Sequence, residues 1–287
     1  MDEYYEGRIN KSDLTDGKYE IVKCSECGFI WQAYILNDEL MEKLYSVWIS
    51  SEHSLIKKKC ADFSLFSGYA REVESIHRFF PSKKPFEIDV LDFGMGWRYW
   101  CLMAKAFGYN VSGFEISKKR IEFARKNGID VIENFSEITT RKFDFINAEQ
   151  VFEHIPNPLQ TMRFLVHSLK NEGIIRISVP NGRGIEQELA KPRWNPSKNA
   201  IHPLEHINCF THQTLVKFGE LAGLELIRQP FLLSHRYNLK SYIKGVLGKY
   251  YRQYFGTSLY FKKKVQNDNV GTSYNTAYIS PKNCTSR

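Results

Sequence analysis

Four groups of residues have types and spacings that suit chemistry. The run VLDFGMGWRYW, Val90 to Trp100, sets an acid, Asp92, and two glycines, Gly94 and Gly96, at the end of an apolar stretch. Glycines at such a turn let the backbone approach a ligand closely and take left-handed angles that other residues resist. Farther on, NVSGFEIS closes a second apolar run on Glu115. A carboxylate there can accept both hydroxyls of a ribose, each charge-assisted bond contributing roughly 1.5–3 kcal/mol. HPLEHINCF holds His202, Glu205 and His206; histidine titrates near neutrality and suits proton removal, and an adjacent acid can orient it. CSECG places Cys24 and Cys27 at the spacing of a zinc knuckle, with Gly28 easing the turn.

These groups need a scaffold, and the pattern around them supplies one. From Phe86 onward, short β-rich runs at 88–92, 110–115, 130–132, 143–147 and 173–179 alternate with helical runs at 97–107, 118–127 and 158–169. That alternation predicts an α/β fold, a mostly parallel sheet with helices on both faces. Upstream, residues 18–34 read as a hairpin turning at CSECG, followed by helices over Asp38 to Ser46 and Tyr69 to Phe80. After GIIRISVP the chain breaks into NGRGIEQELAKPRWNPSKNAIHPLEH, a Pro- and Asn-rich loop at a strand's C-terminal end, where substrate loops sit. Thr211 caps a helix through Ala222, Gly223 ends it, and LELIRQ and SLYF read as later strands. The expected organisation is an N-terminal cap (1–66), a core (67–232), a basic aromatic helix and final strand (233–264) and a loose tail (265–287).

The chain has 287 residues and a net charge of +8, and the eight Lys or Arg between Leu233 and Lys264 meet no acid there. Without them 32 basic residues face 32 acidic ones, so the excess is local and suits an anionic partner at one surface. The 238–255 stretch repeats Leu239, Tyr242, Ile243, Val246 and Tyr250 on one helical face. That face allows peripheral contact with a membrane surface or simple packing beside the sheet. No run of 18 apolar residues and no signal-like N-terminus is present, and the six cysteines form no disulfide framework. A cytoplasmic protein is expected. No nucleic-acid-binding module accompanies the charge.

A dinucleotide-binding turn requires glycine where Tyr99 stands and an apolar residue where Asp92 stands. The pattern D-x-G-x-G, followed by Glu115, instead resembles the first motifs of class I S-adenosylmethionine-dependent methyltransferases, with Arg98 where many members carry a third glycine. The similarity continues through KFDFINAEQVFEHIPNP, GIIRISVPN and FTHQTLVKFGELAGLEL, covering roughly 67–230. It implies a Rossmann-like seven-stranded sheet with its last strand antiparallel. It also implies S-adenosylmethionine as cofactor, near Asp92, Gly94, Gly96, Glu115, Asn134, Asn147 and Gln150. The Glu205-His206 pair resembles the acid/histidine pair of nucleotide-sugar C-methyltransferases, which implies His206 as general base and Glu205 as its orienting partner. The alternative is that both only pin the loop. Methyl transfer to carbon or oxygen of an anionic small molecule, in carbohydrate biosynthesis, is the expected function. A methyltransferase-like scaffold without catalysis is the alternative, motivated by Arg98 and by a zinc lobe reduced here to Cys24 and Cys27, with or without metal.

Overall fold

The computed structural model describes residue 5 and residues 7–192, 199–230, 248, 251 and 255–264. A large sheet of seven strands is built from β3 (Asp89–Phe93), β4 (Asn110–Phe114), β5 (Asp130–Ile132), β6 (Phe143–Glu149), β7 (Leu169–Ser178), β9 (Leu224–Ile227) and β10 (Ser258–Lys263), in the order β5-β4-β3-β6-β7-β10-β9. Pairs from β5 through β7 are parallel, while β10 runs antiparallel to both β7 and β9. The alternation read from sequence therefore yields the expected sheet. A small sheet joins β1 (Ile21–Lys23) and β2 (Ile30–Gln32) to β8 (Asn208–Cys209).

Successive side chains of a strand point to opposite faces. One face of the large sheet carries Leu91, Phe93, Ile146, Ala148, Ile175 and Ile177, buried against helices α7 (Pro158–Ser168) and α9 (His212–Leu221). The other carries Val90, Phe145 and Ile174 beneath α3 (Phe63–Ile76) and α4 (Tyr99–Ala106). Helix α5 (Lys118–Lys126) follows β4. No described helix is long and apolar enough to cross a membrane.

Several local features depart from the sequence reading. Helices α2 (Ser51–Lys59) and α6 (Phe135–Thr140) escape it, because α2 buries no residue of its own and α6 is barely more than a turn. The region of Asp38 to Ser46 splits into α1 (Asp38–Lys43) and a wider π turn, Leu44–Trp48. The run PNGRGIEQEL contains the short helix α8 (Ile185–Leu189). Ahead of α7, Phe152-Glu153-His154 forms a separate 3-10 turn, and Pro158 takes the first helical position. The basic helix expected at 238–255 lies largely outside the described residues.

A buried polar line crosses the second face. The strand registers align Gly113, Asp92, Asn147, Arg176, Tyr260 and Ile227 in one row. Asn147 donates from Nδ2 to Asp92 Oδ1 (2.8 Å) and accepts at Oδ1 from Arg176 Nη1 (2.7 Å). Arg176 Nη2 donates to Glu72 Oε1 of α3 (2.8 Å), with Glu149 Oε2 at 3.5 Å. Burial works against the guanidinium charge, but Glu72 and Glu149 outweigh it and raise the Arg176 pKa. Breaking a buried pair from one side costs about 3–5 kcal/mol, while exposed pairs contribute under about 1 kcal/mol. Urea unfolding should show Arg176→Ala destabilised by about 3–5 kcal/mol. Lys23→Ala, which loses an exposed partner in Glu186, should lose under about 1 kcal/mol; equal effects would contradict the importance of the line.

Candidate active site

The glycine turn leaves β3 at its C-terminal end. Gly94 has φ +78, and a Cβ there would stand 2.6 Å from Val151 Cγ2. Its glycine identity is therefore explained by the Val151 methyl packed over it. Gly96, at φ +53, has open space where a Cβ would project, so this is the glycine that leaves room for a ligand. Asp92 is buried, accepting from Asn147 and, at 3.4 Å, from the Cys101 thiol. Burial pushes its pKa up to about 7.

Arg98 takes the left-handed backbone (φ 60, ψ 3) immediately before α4, which explains why a glycine suits that place. A side chain there costs roughly 1–2 kcal/mol. The guanidinium does not point outward. It lies buried, 3.8 Å from the centroid of the Phe123 ring on α5. Trp97 meets the same ring edge-on and donates from Nε1 to Ser54 Oγ of α2 (3.1 Å). The N-terminal segment is thereby fastened over the turn. From α2, Lys58 also donates to Tyr69 OH (2.8 Å), its pKa lowered by burial.

Glu115 follows β4 and is nearly buried. Oε2 accepts from Gly96 N (3.0 Å), and Oε1 from Ile116 N (2.9 Å) and Ser117 N (3.0 Å), with Arg120 Nη1 at 3.5 Å. A carboxylate offers about four lone-pair sites, so its orientation is fixed by the backbone with little capacity left over. Ile116 beside it is 70% exposed.

Across the same edge of the sheet, the loop from 199 to 209 and the Phe152–His154 turn are stitched together. Ile207 N donates to Glu153 O (2.8 Å), Asn208 Nδ2 to Phe152 O (3.0 Å) and Ile155 O (2.7 Å), and His154 Nδ1 to Glu205 O (2.9 Å). Gln32 Nε2 of β2 donates to His202 O (2.7 Å) and His206 O (3.1 Å). His202 and His206 pair backbone to backbone around a tight turn in which Leu204 has φ +70. Glu205 accepts from Tyr5 OH (3.1 Å). His206 Nδ1 is bonded to Asn199 O, and the His154 and His206 rings meet edge-on with centroids 4.9 Å apart. Burial raises the Tyr45 pKa first of all, and the charges of Glu205, Glu153 and Glu115 add to it. The Tyr45 ring meets that of His154 edge-on, with centroids 6.3 Å apart.

The other expected residues are distributed differently. Asn147 was read as a cofactor contact; the structure instead buries it between Asp92 and Arg176, which use both ends of its amide. Asn134 is exposed at the start of α6 and donates to Glu137 Oε1 (3.1 Å). Gln150 is exposed after β6 with φ +55. Among the described residues the non-glycine positions of positive φ are Arg98, Gln150 and Leu204, one each on the glycine turn, at the end of β6 and in the 199–209 loop. Such strain concentrates at functional sites. Cys24 is buried and Cys27 exposed in the expected hairpin turn. Surface depressions lined by Tyr19, Lys23 and Glu186, and by Asp89, Asp130 and Arg141, lie away from this edge; ligands of open α/β sheets bind at the carboxyl ends of the strands.

A family model described as methyltransferase domain matches residues 66–229, more than half of the chain. The chain belongs to the methyltransferase domain family. It is similar to two ubiquinone biosynthesis O-methyltransferases of Actinobacillus pleuropneumoniae. The serotype 5b (strain L20) protein is 28% identical over 106 residues, and the serotype 7 (strain AP76) protein 31% over 107. Each match takes 32% of this chain and 45% of the relative, so the chain spans under half the length of these curated relatives. Among solved structures, the plantazolicin methyltransferase BamL, in complex with a triazolic desmethylPZN analogue and SAH, is 19% identical. That match covers 77% of this chain and 92% of BamL at a TM-score of 0.51, a likeness of fold.

Within this methyltransferase fold, sequence reasoning missed Tyr5, Tyr45, Lys58 and Arg176. Only Arg176 had a local signal, a lone charge inside the apolar run GIIRISVP, where a buried charge demands a partner. Two measurements test the turn. Arg98→Gly and Arg98→Ala both lose the Phe123 contact, but only glycine relieves the backbone, so Arg98→Gly should be more stable by about 1 kcal/mol; the reverse order contradicts the strain. For Asp92, the folded pKa lies above the unfolded one, so the native state holds the extra proton. Its contribution is complete below about pH 4 and is lost as pH rises to about 7. The fall in Tm across that window should be shallower in Asp92→Asn than in the parent; parallel curves would contradict the shift.

Proposed function

We propose that this chain transfers a methyl group from S-adenosylmethionine to a small-molecule acceptor. The observation that carries the reading is the apposition, at one edge of the sheet, of the Gly96–Glu115 turn with the Glu153, His154, Glu205 and His206 group, against which the Tyr45 ring packs. The residues present fit the cofactor: open space lies over Gly96, a backbone-fixed carboxylate stands beside it, and the exposed side chain of Ile116 offers apolar surface to a flat base. Because Glu115 already accepts three backbone bonds, gripping ribose hydroxyls requires it to share or exchange the Gly96 N–H. When bound, S-adenosylmethionine supplies an electrophilic methyl on a sulfonium sulfur.

The chain's own task is to hold the nucleophile in line with that methyl and to manage its proton. His206 presents a ring whose Nδ1 is committed to Asn199 O, leaving the Nε2 lone pair as the basic atom. The names of the curated relatives favour oxygen as the methylated atom. A nucleotide-linked or phosphorylated sugar is the first acceptor class. The Glu205-His206 pair supports it, as does the basic excess of 233–264, much of which lies outside the described residues. A cytoplasmic location belongs to the same reading. The scaffold alternative is favoured by one observation, the saturation of Glu115 by protein donors.

Calorimetry with S-adenosylhomocysteine separates the two. The methyl-transfer reading expects binding in the micromolar-to-millimolar range typical of substrates. It expects Glu115→Ala to weaken that binding at least about tenfold, the loss of one charge-assisted bond; absence of binding at about 1 mM selects the scaffold. Labelled methyl transfer into a panel of nucleotide sugars and hydroxylated small molecules then identifies the acceptor. His206→Asn should lower kcat about 10²–10⁴-fold, and undiminished turnover removes it from proton transfer.

A further inference from the structure

We propose that Glu153, His154 and His206 form a site for one divalent cation of the zinc type, whose open position receives an oxygen of the methyl acceptor. One ligand atom from each of the three lies within 4.8 Å of the others. Ligands at zinc distances around a tetrahedral ion stand about 3.4 Å apart, so small side-chain movements close the set. Two histidines and one glutamate with a fourth position open is a donor set of catalytic rather than structural zinc sites.

Two independent features point to a cation. The Glu153 side chain is 1% exposed, and among the described residues neither of its oxygens has a hydrogen-bond partner; His154 Nε2 is 3.7 Å from Oε1. A buried carboxylate without a donor is expensive, and a cation at this spot removes the cost. Both imidazoles are also set as metal-binding histidines are, with Nδ1–H given to a backbone carbonyl, Glu205 O for His154 and Asn199 O for His206. That bond fixes the tautomer and leaves the Nε2 lone pair on each ring. The frame is rigid, since the Glu153 carbonyl accepts from Ile207 N and Asn208 ties the turn at two carbonyls.

The acceptor part of this assignment rests on the methyl-transfer reading, whereas the cation does not. With the cation in place, His206 is a ligand rather than a base. A hydroxyl coordinated at the fourth position becomes more acidic and releases its proton to solvent water. Its oxygen then forms the bond to the methyl carbon as the carbon–sulfur bond breaks, that electron pair returning to sulfur.

The full chain, stripped with chelator, is titrated with Co2+. The assignment expects one equivalent to bind with visible bands of a low-symmetry four- or five-coordinate ion, displaced by Zn2+. Glu153→Gln and, separately, His206→Asn should each lower Co2+ affinity at least about tenfold, with the circular dichroism of a folded chain retained in at least one of them. Cys27→Ser should leave the bands unchanged. No Co2+ binding, or bands that survive both ligand variants, overturns the site, as does loss of the bands in Cys27→Ser. Calorimetry with S-adenosylhomocysteine on the same preparation reads the cofactor separately. Its binding without Co2+ binding sinks only the cation site, and Co2+ binding without it sinks only the methyl-transfer reading.

Discussion

The hydrogen-bonded line Asp92–Asn147–Arg176–Glu72 is the constraint on which the rest of the structure depends. Polar groups in a low-dielectric interior have few ways to be satisfied, and a shift of one residue in any of the three strands would turn its member to the opposite face. The line therefore locks β3, β6 and β7 in one register. Their carboxyl ends then stop at fixed heights, which places the glycine turn, Gln150 and the Glu153 turn along one edge. The same line reaches α3 through Glu72, and Lys58 of α2 contacts Tyr69 of that helix, so the N-terminal segment is coupled to the core through charge as well as packing.

At that edge, strain and polarity are concentrated where the hydrophobic faces end. Arg98, Gln150 and Leu204 hold backbone angles that favour glycine, and each is held by neighbours: Phe123 for Arg98, the Ser178 carbonyl for Gln150, the cluster of Tyr5, Leu44 and Trp48 for Leu204. Glu115 and Glu153 show two ways of burying a carboxylate. The first is surrounded by backbone N–H donors; the second has no hydrogen-bond partner from another residue among the described residues, and burial pushes its pKa up to about 8. Environment, not residue type, separates their roles.

What was legible in the sequence was local. Asp92, Gly94, Gly96 and Glu115 sit at strand ends, where a few consecutive residues announce both the turn and its acid, and the helix after Thr211 carries its own cap. The strand alternation was equally plain because each β-run is short and apolar. The long-range arrangement was not. Tyr5 reaches Glu205 across 200 residues, Tyr45 sits in the π turn that follows α1, and Lys58 comes from α2, which buries no residue of its own. Asn147 looked like a site residue because of its position in a motif, and only the strand register reveals that Asp92 and Arg176 consume it. Glu153 and His154 stand side by side in the run KFDFINAEQVFEHIPNP, but their meeting with His206 depends on the fold of the 199–209 loop.

The central claim is that the edge holding Gly96, Glu115 and the Glu153–His206 group is one methyl-transfer site. The most direct measurement is a crystal structure of the chain with S-adenosylhomocysteine. The account predicts ribose hydroxyls on the Glu115 carboxylate, the homocysteine end over Gly96, and the sulfur facing Tyr45 and His206. Ligand bound elsewhere, with Glu115 still closed on its three backbone donors and Trp97 and Arg98 filling the space above the turn, would contradict it.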